Sequence, residues 1–267
     1  MSEPRIAAFP DNAPPAGDRI IAVASGKGGV GKTWFSVSLC HAFARESHRT
    51  LLFDGDLGLA NVDIQLGLMP ARDLGAVFEG EITLKGSAQR FAPGGFDIIA
   101  GRSGSGSLAS LSSHRLAEIS ADLLAMAEDY DRVVLDLAAG IDRQVRQLAV
   151  QAATVLVVTT DEPTALTDAY ALIKVLTARK PESDVRVIVN KAQTRHEGER
   201  TYATLLRACE TFLKISPPLA GIVREDRRVR EAIRAQVPLL TRSPNCQAAD
   251  DIEAIAAPLA GLRRKAV

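Results

Sequence analysis

The chain has 267 residues, 46% of them hydrophobic and 24% charged, a length and composition that suit one large globular α/β domain. Its 32 basic and 32 acidic side chains cancel. Overall charge therefore gives no argument for a nucleic-acid binder, and only a local basic patch stays open.

Residues 1–18 carry Pro4, Pro10, Pro14 and Pro15 among small and polar residues and read as a mobile tail ahead of a domain over 19–267. Strands are predicted over 19–25, 50–54, 96–100, 132–137, 154–160, 185–190 and 219–223. Most are continuous apolar runs, as expected for strands covered on both faces. Helices are predicted over 32–45, 114–129, 163–178 and 199–213. The alternation implies right-handed crossovers and a mainly parallel, twisted sheet with helices on both sides, in a single α/β domain. Ligands of such sheets sit beyond the carboxyl ends of the strands. The Gly-Ser-rich run 101–107 reads as a flexible loop after the third strand.

Between the first strand and the first helix stands Ser25-Gly26-Lys27-Gly28-Gly29-Val30-Gly31-Lys32-Thr33. A glycine-rich turn there aims a row of backbone N–H groups at one point, and the helix N-terminus behind it adds positive potential. Gly26, Lys32 and Thr33 fit the phosphate-loop pattern G-x-x-x-x-G-K-[ST]. Lys32 is expected to reach the β and γ oxygens and the Thr33 hydroxyl to hold Mg²⁺. Phosphoryl transfer also needs acids near the metal, and two strand ends supply them. Asp54 and Asp56 close one apolar run. Asp136 ends Val133-Val134-Leu135-Asp136, a Walker B pattern, in which the acid holds Mg²⁺ through a water.

The second loop lysine, Lys27, resembles the signature lysine of the deviant Walker A class of ParA/MinD nucleoside triphosphatases. The run DGDLGLANVDIQLGL at 54–68 and the run TTDEPTALTDAYALIK at 159–174 are most similar to flagellar-number regulators of the FlhG/FleN type. The resemblance extends from about residue 20 to about residue 262. It implies a P-loop ATPase that uses ATP, ADP and Mg²⁺ and forms a homodimer around two ATP molecules, with Lys27 reaching the partner's nucleotide. Asp56 would orient the attacking water, Asp54 would support the magnesium shell, and Ala139-Gly140 would sense the γ-phosphate. The loop residues Gly26, Lys27, Gly28, Gly29, Val30, Gly31, Lys32, Thr33 and Trp34 would wrap the phosphates. Asn190 would contact the adenine, and the segment with Arg224 and Asp226 would close over it. Partners would be flagellar or polar-localisation factors. The location would be cytoplasmic, with a peripheral site at the inner membrane left open.

The chain departs from the family's pattern in several places. Leu137 follows the Walker B acid where a small polar residue is usual, so a nucleotide-binding adaptor with little turnover remains an alternative. Arg224 stands where a proline is usual, and Trp34 where a small or polar residue is common. The tail offers Asp11-Asn12-Ala13 where flagellar relatives carry an Asp-Gln-Ala helix that stimulates a partner GTPase, and Pro14 and Pro15 disfavour such a helix.

Arg224, Arg227, Arg228, Arg230 and Arg234 form a basic cluster. One reading is DNA contact, as in ParA-like partitioning ATPases. The favoured reading is a solvated helix face with Glu225, Asp226 and Glu231 as partners. Ile252, Ile255, Leu259 and Leu262 fall at helical spacing before Arg263-Arg264-Lys265. A membrane anchor is one reading, but Pro258 interrupts the pattern and a helix packed on the core is favoured. Cys40, Cys209 and Cys246 are too scattered for a disulfide framework or a cluster-binding pair, and they fit a reducing compartment. The four histidines are too dispersed to suggest a metal centre. No stretch approaches the ~20 apolar residues of a membrane span, and no secretory signal pattern opens the chain.

Overall fold

The computed structural model describes residues 16–70, 72–101 and 112–261. Most of the predicted tail, the glycine-serine run beyond Gly101, and Leu262 with the basic end 263–265 lie outside the described residues.

Eight strands form one sheet in the order β3-β4-β2-β5-β1-β6-β7-β8. They are β1 (Ile20–Ser25), β2 (Thr50–Gly55), β3 (Gln89–Phe91), β4 (Phe96–Ile99), β5 (Arg132–Ala139), β6 (Thr154–Thr159), β7 (Asp184–Ala192) and β8 (Leu219–Arg224). All pairings are parallel except β3 with β4. β3 went unpredicted because its three residues, Gln-Arg-Phe, carry no apolar run and pair only at an edge.

Helices α1 (Lys32–Arg45), α2 (Val62–Leu66), α3 (Leu74–Phe78), α4 (Leu84–Ser87), α5 (Ser113–Ala127) and α6 (Arg143–Ala149) come from the first half. The second half adds α7 (Pro163–Arg179), α8 (Arg195–Ala208), α9 (Arg227–Ala235), α10 (Leu239–Arg242) and α11 (Gln247–Ala260). A π turn over Cys209–Leu213 extends α8. The helix predicted over 199–213 thus starts a turn earlier, where the Thr194 hydroxyl accepts from Glu197 N at 3.1 Å and caps it.

The central strand shows why two helical layers form. Ile20, Ala22 and Ala24 of β1 enter one apolar cluster with residues of α5, α6 and α7. Ile21 and Val23 enter a second with α1 and α11. Alternating side chains point to opposite faces, so a run of apolar residues demands cover on both. Each fully buried Leu or Phe there contributes roughly 1.5–3 kcal/mol. Arg19 precedes β1 and donates to the carbonyls of Ala127, Glu128 and Tyr130, which closes the C-terminal end of α5.

α11 carries three of the four apolar residues on which the two readings of the C-terminal segment turn. Ile252, Ile255 and Leu259 are all at most 2% exposed. These three pack on the core, as the favoured reading expects. Among the described residues no helix is long and apolar enough to cross a membrane.

Candidate nucleotide site

The β1–α1 turn lies at the carboxyl end of the central strand, flanked by β5 and β6. Two of its glycines are required by close contacts. A Cβ on Gly26 would overlap the backbone carbonyl of Asp168 in α7. Gly31 has φ +92°, and a Cβ there would overlap the Asn190 amide. Gly31 also occupies the N-cap of α1, and no side chain caps that helix. The first-turn N–H groups are therefore left for a ligand, the condition under which a helix start binds phosphate.

The loop is braced from β7. Asn190 donates from Nδ2 to Val30 O at 2.8 Å, and Lys191 donates from Nζ to Gly29 O at 2.8 Å. Ser25 Oγ donates to Lys27 O at 2.9 Å, and Gly140 N donates to Ser25 O at 2.8 Å. Gly140 has φ +106°. The segment expected to sense the γ-phosphate is thus hydrogen-bonded to the foot of the phosphate loop.

The acids assemble as register partners. Asp54 of β2 lies opposite Asp136 of β5. Asp136 Oδ1 accepts from Ser36 Oγ at 2.9 Å and stands 3.9 Å from Lys32 Nζ. The Thr33 hydroxyl favours the ionised form of the same carboxylate. Asp54 is fully buried; its Oδ1 accepts from Asp56 N at 3.2 Å. Its Oδ2 accepts from Asn61 N and Val62 N, each at 3.2 Å. Asp56 is half-buried and accepts from Leu59 N at 3.0 Å. Leu137 is fully buried among apolar side chains, pointing away from this polar cluster.

Burial, followed by the nearby Asp136 charge, pushes Asp54 up to about 7. Burial also raises Asp136, against the opposing pull of Lys32, Thr33 and Ser36. Two neighbouring buried acids are the arrangement a divalent cation would relieve. Among the described residues no three His, Cys, Asp or Glu side chains form a metal cluster. Magnesium is commonly held by one or two carboxylates together with waters and phosphate oxygens, and Asp54 and Asp136 offer such a pair.

The raised Asp54 has a measurable consequence. Folded protein keeps its proton between about pH 4 and 7, where the unfolded chain has released it. Stability from this group is therefore complete below about pH 4 and lost as pH rises through 7, a change on the order of 4 kcal/mol. Urea unfolding at pH 5 and pH 8, without nucleotide or metal, should show lower stability at pH 8. Asp54→Asn should flatten the difference, and an equal slope in that variant would exclude this origin.

Beside the loop lies a cavity of about 360 Å³ lined by Gly31, Trp34, Asn190, Lys191, Arg224 and Asp226, among others. The residues expected to enclose the base therefore share one pocket. Arg224 is held from behind this pocket: its Nε and Nη2 bind Asp251, and its Nη1 binds Gln247 Oε1 at 2.9 Å. Asp226 accepts from Arg228 N at 2.9 Å and caps α9.

Lys27 is held in its own chain, donating to Glu162 Oε2 at 2.5 Å and Thr164 Oγ1 at 2.7 Å. The partners Ser36, Lys191, Glu162 and Thr164 were not assigned roles from the sequence. Only the last two lay in a motif already singled out. Three of the four arginines of α9 pair with acids: Arg227–Glu231 at 3.8 Å, Arg228–Asp226 at 3.9 Å and Arg230–Glu225 at 3.6 Å. That pattern favours a solvated face over a phosphate-binding patch.

Residues 21–239 match the CobQ/CobB/MinD/ParA nucleotide binding domain. The chain belongs to that family. It is 39% identical over 238 residues to the antiactivator FleN of Pseudomonas aeruginosa, covering 89% of this chain and 85% of FleN. It is 29% identical over 239 residues to the flagellum site-determining protein YlxH of Helicobacter pylori, covering 89% of this chain and 80% of YlxH. Among solved structures, MinD of Pyrococcus horikoshii complexed with Mg-ADP superposes with a TM-score of 0.75 at 22% identity, over 91% of this chain and 96% of that one. These likenesses establish the P-loop fold of the MinD and ParA proteins for this family member, with an antiactivator and a flagellum site-determining protein among its relatives.

Proposed function

We propose that this family member is a Mg²⁺-dependent ATP hydrolase of the deviant Walker A type that pairs with a second copy on binding ATP. Its nucleotide state would regulate flagellar number or placement. The observation that carries the reading is the uncapped start of α1 beside Lys32 and the buried pair Asp54 and Asp136. Lys32 and the loop N–H groups would hold the triphosphate. Thr33, Asp54 and Asp136 would hold magnesium, which neutralises charge on the transferring phosphoryl group. Asp56, half-buried beside that pair, would orient the attacking water. Asn190, Trp34, Arg224 and Asp226 would enclose the base. The similarity to FleN and YlxH supports the flagellar assignment and protein partners of that system.

The test is phosphate release together with light-scattering mass. The unaltered chain should release phosphate from ATP with Mg²⁺. Asp56→Ala should lower turnover at least about 100-fold and accumulate as a dimer with ATP but not ADP. Tight ATP binding with background phosphate release in the unaltered chain would instead favour the adaptor reading. Unchanged flagellar number after loss of the gene would remove the cellular assignment alone.

A further inference from the structure

The wall of the base pocket is held by a residue outside it. Arg224 ends β8, and Asp226, two residues on, caps α9. Behind them stands Asp251 of α11, a carboxylate only 2% exposed. Asp251 Oδ2 accepts from Arg224 N at 2.9 Å and from Arg224 Nε at 2.8 Å. Its Oδ1 accepts from Arg224 Nη2 at 2.9 Å and from Arg195 Nη2 at 3.3 Å. Gln247, one helical turn earlier on α11, takes the remaining Arg224 nitrogen.

Two parallel N–H bonds to one carboxylate fix the plane of a guanidinium, and a third bond from the main chain fixes its root. Arg224 Nε, Nη1 and Nη2 all face acceptors on α11. With most of its N–H groups engaged on α11, Arg224 can offer the pocket it lines its aliphatic stem and planar face. Such a surface suits the flat side of a purine. The hydrogen bonds of Glu225 N to Ala192 O at 2.8 Å and of Arg228 N to Asp226 carry the same constraint into the α9 start.

We propose that Asp251 is a positioning residue for nucleoside binding, acting through Arg224, so that the seating of α11 sets how tightly the base is held. This rests on the nucleotide reading of the pocket. Asp251 touches neither the phosphate loop nor its acids in any of the bonds above, so its effect should be confined to the base.

Two ligands separate the effects: ATP, which uses both subsites, and inorganic tripolyphosphate, which uses the phosphate loop alone. Affinities are measured by calorimetry for the unaltered chain, Asp251→Asn, Arg224→Lys and Lys32→Ala. Asp251→Asn should lose on the order of tenfold for ATP and nothing for tripolyphosphate. Arg224→Lys keeps the charge but loses the fork and should show the same selective loss, which keeps the test decisive if Asp251→Asn fails to fold. Lys32→Ala should lose both ligands. Equal weakening of both ligands, or unchanged ATP affinity, in these two base-wall variants overturns the proposal alone. No ATP binding by the unaltered chain overturns the nucleotide reading and this proposal with it.

Discussion

Lys32→Ala should abolish ATP binding, with affinity falling by at least about 100-fold. The Lys32 side chain is 10% exposed and its Nζ lies 3.9 Å from Asp136 Oδ1. It therefore stands between a buried acid and the open start of α1. A triphosphate arriving there brings several negative charges towards Asp54 and Asp136, both already disfavoured as anions by burial. Without Lys32 the loop offers mainly backbone dipoles against that repulsion. Truncating one side of a buried charged contact between binding partners costs roughly 2–5 kcal/mol, a range whose middle exceeds a hundredfold in affinity. Fold stability should change far less, because without nucleotide Lys32 makes a long ion pair with Asp136. Calorimetric titration with ATP and Mg²⁺, beside a thermal melt, checks both parts. Binding retained within about threefold would remove Lys32 from the phosphate site.

Much of this site was legible because its signals are local. The phosphate loop needs glycines at fixed offsets, and Gly26 and Gly31 stand where a Cβ would meet Asp168 or Asn190. The strands were legible because burial on both faces demands unbroken apolar runs, as in Val133-Val134-Leu135 before Asp136. The reach of each strand end fixes where Asp54 and Asp136 meet, but their pairing as register partners is a property of sheet order. Contacts between distant segments left no mark at all. Nothing near Asp251 announces that it will clamp Arg224, 27 residues earlier. Nothing near Lys191 shows that it will brace Gly29, because such bonds depend on how β7 and α11 dock rather than on any local pattern. The short strand β3 was missed for the opposite reason: an edge strand needs only its hydrogen-bond partner and carries no hydrophobic signature.

Lys27→Ala should leave ATP binding within a few fold while lowering hydrolysis by about 10³ or more, the scale of an arginine finger. In the single chain Lys27 bonds only to Glu162 and Thr164 among the contacts that describe it, and neither belongs to the phosphate-loop cradle. Its side chain is 34% exposed and that of Glu162 is 60% exposed. An ion pair so open to water holds little free energy, so Lys27 can exchange Glu162 for another anion at small cost. High salt should weaken the resting pair without unfolding the chain. A lysine that serves the partner's nucleotide also predicts complementation. In a mixture of Lys27→Ala and Asp56→Ala chains, the site that keeps Asp56 receives Lys27 from the other protomer. Half of the dimers are mixed and each holds one working site, so turnover should recover to about a quarter of normal. A lysine acting only within its own chain leaves every site short of one group and gives no recovery. Measured phosphate release from the equimolar mixture, compared with each variant alone, separates the two arrangements. A flat response there, together with unchanged turnover in Lys27→Ala, would take away the reason for calling the loop deviant.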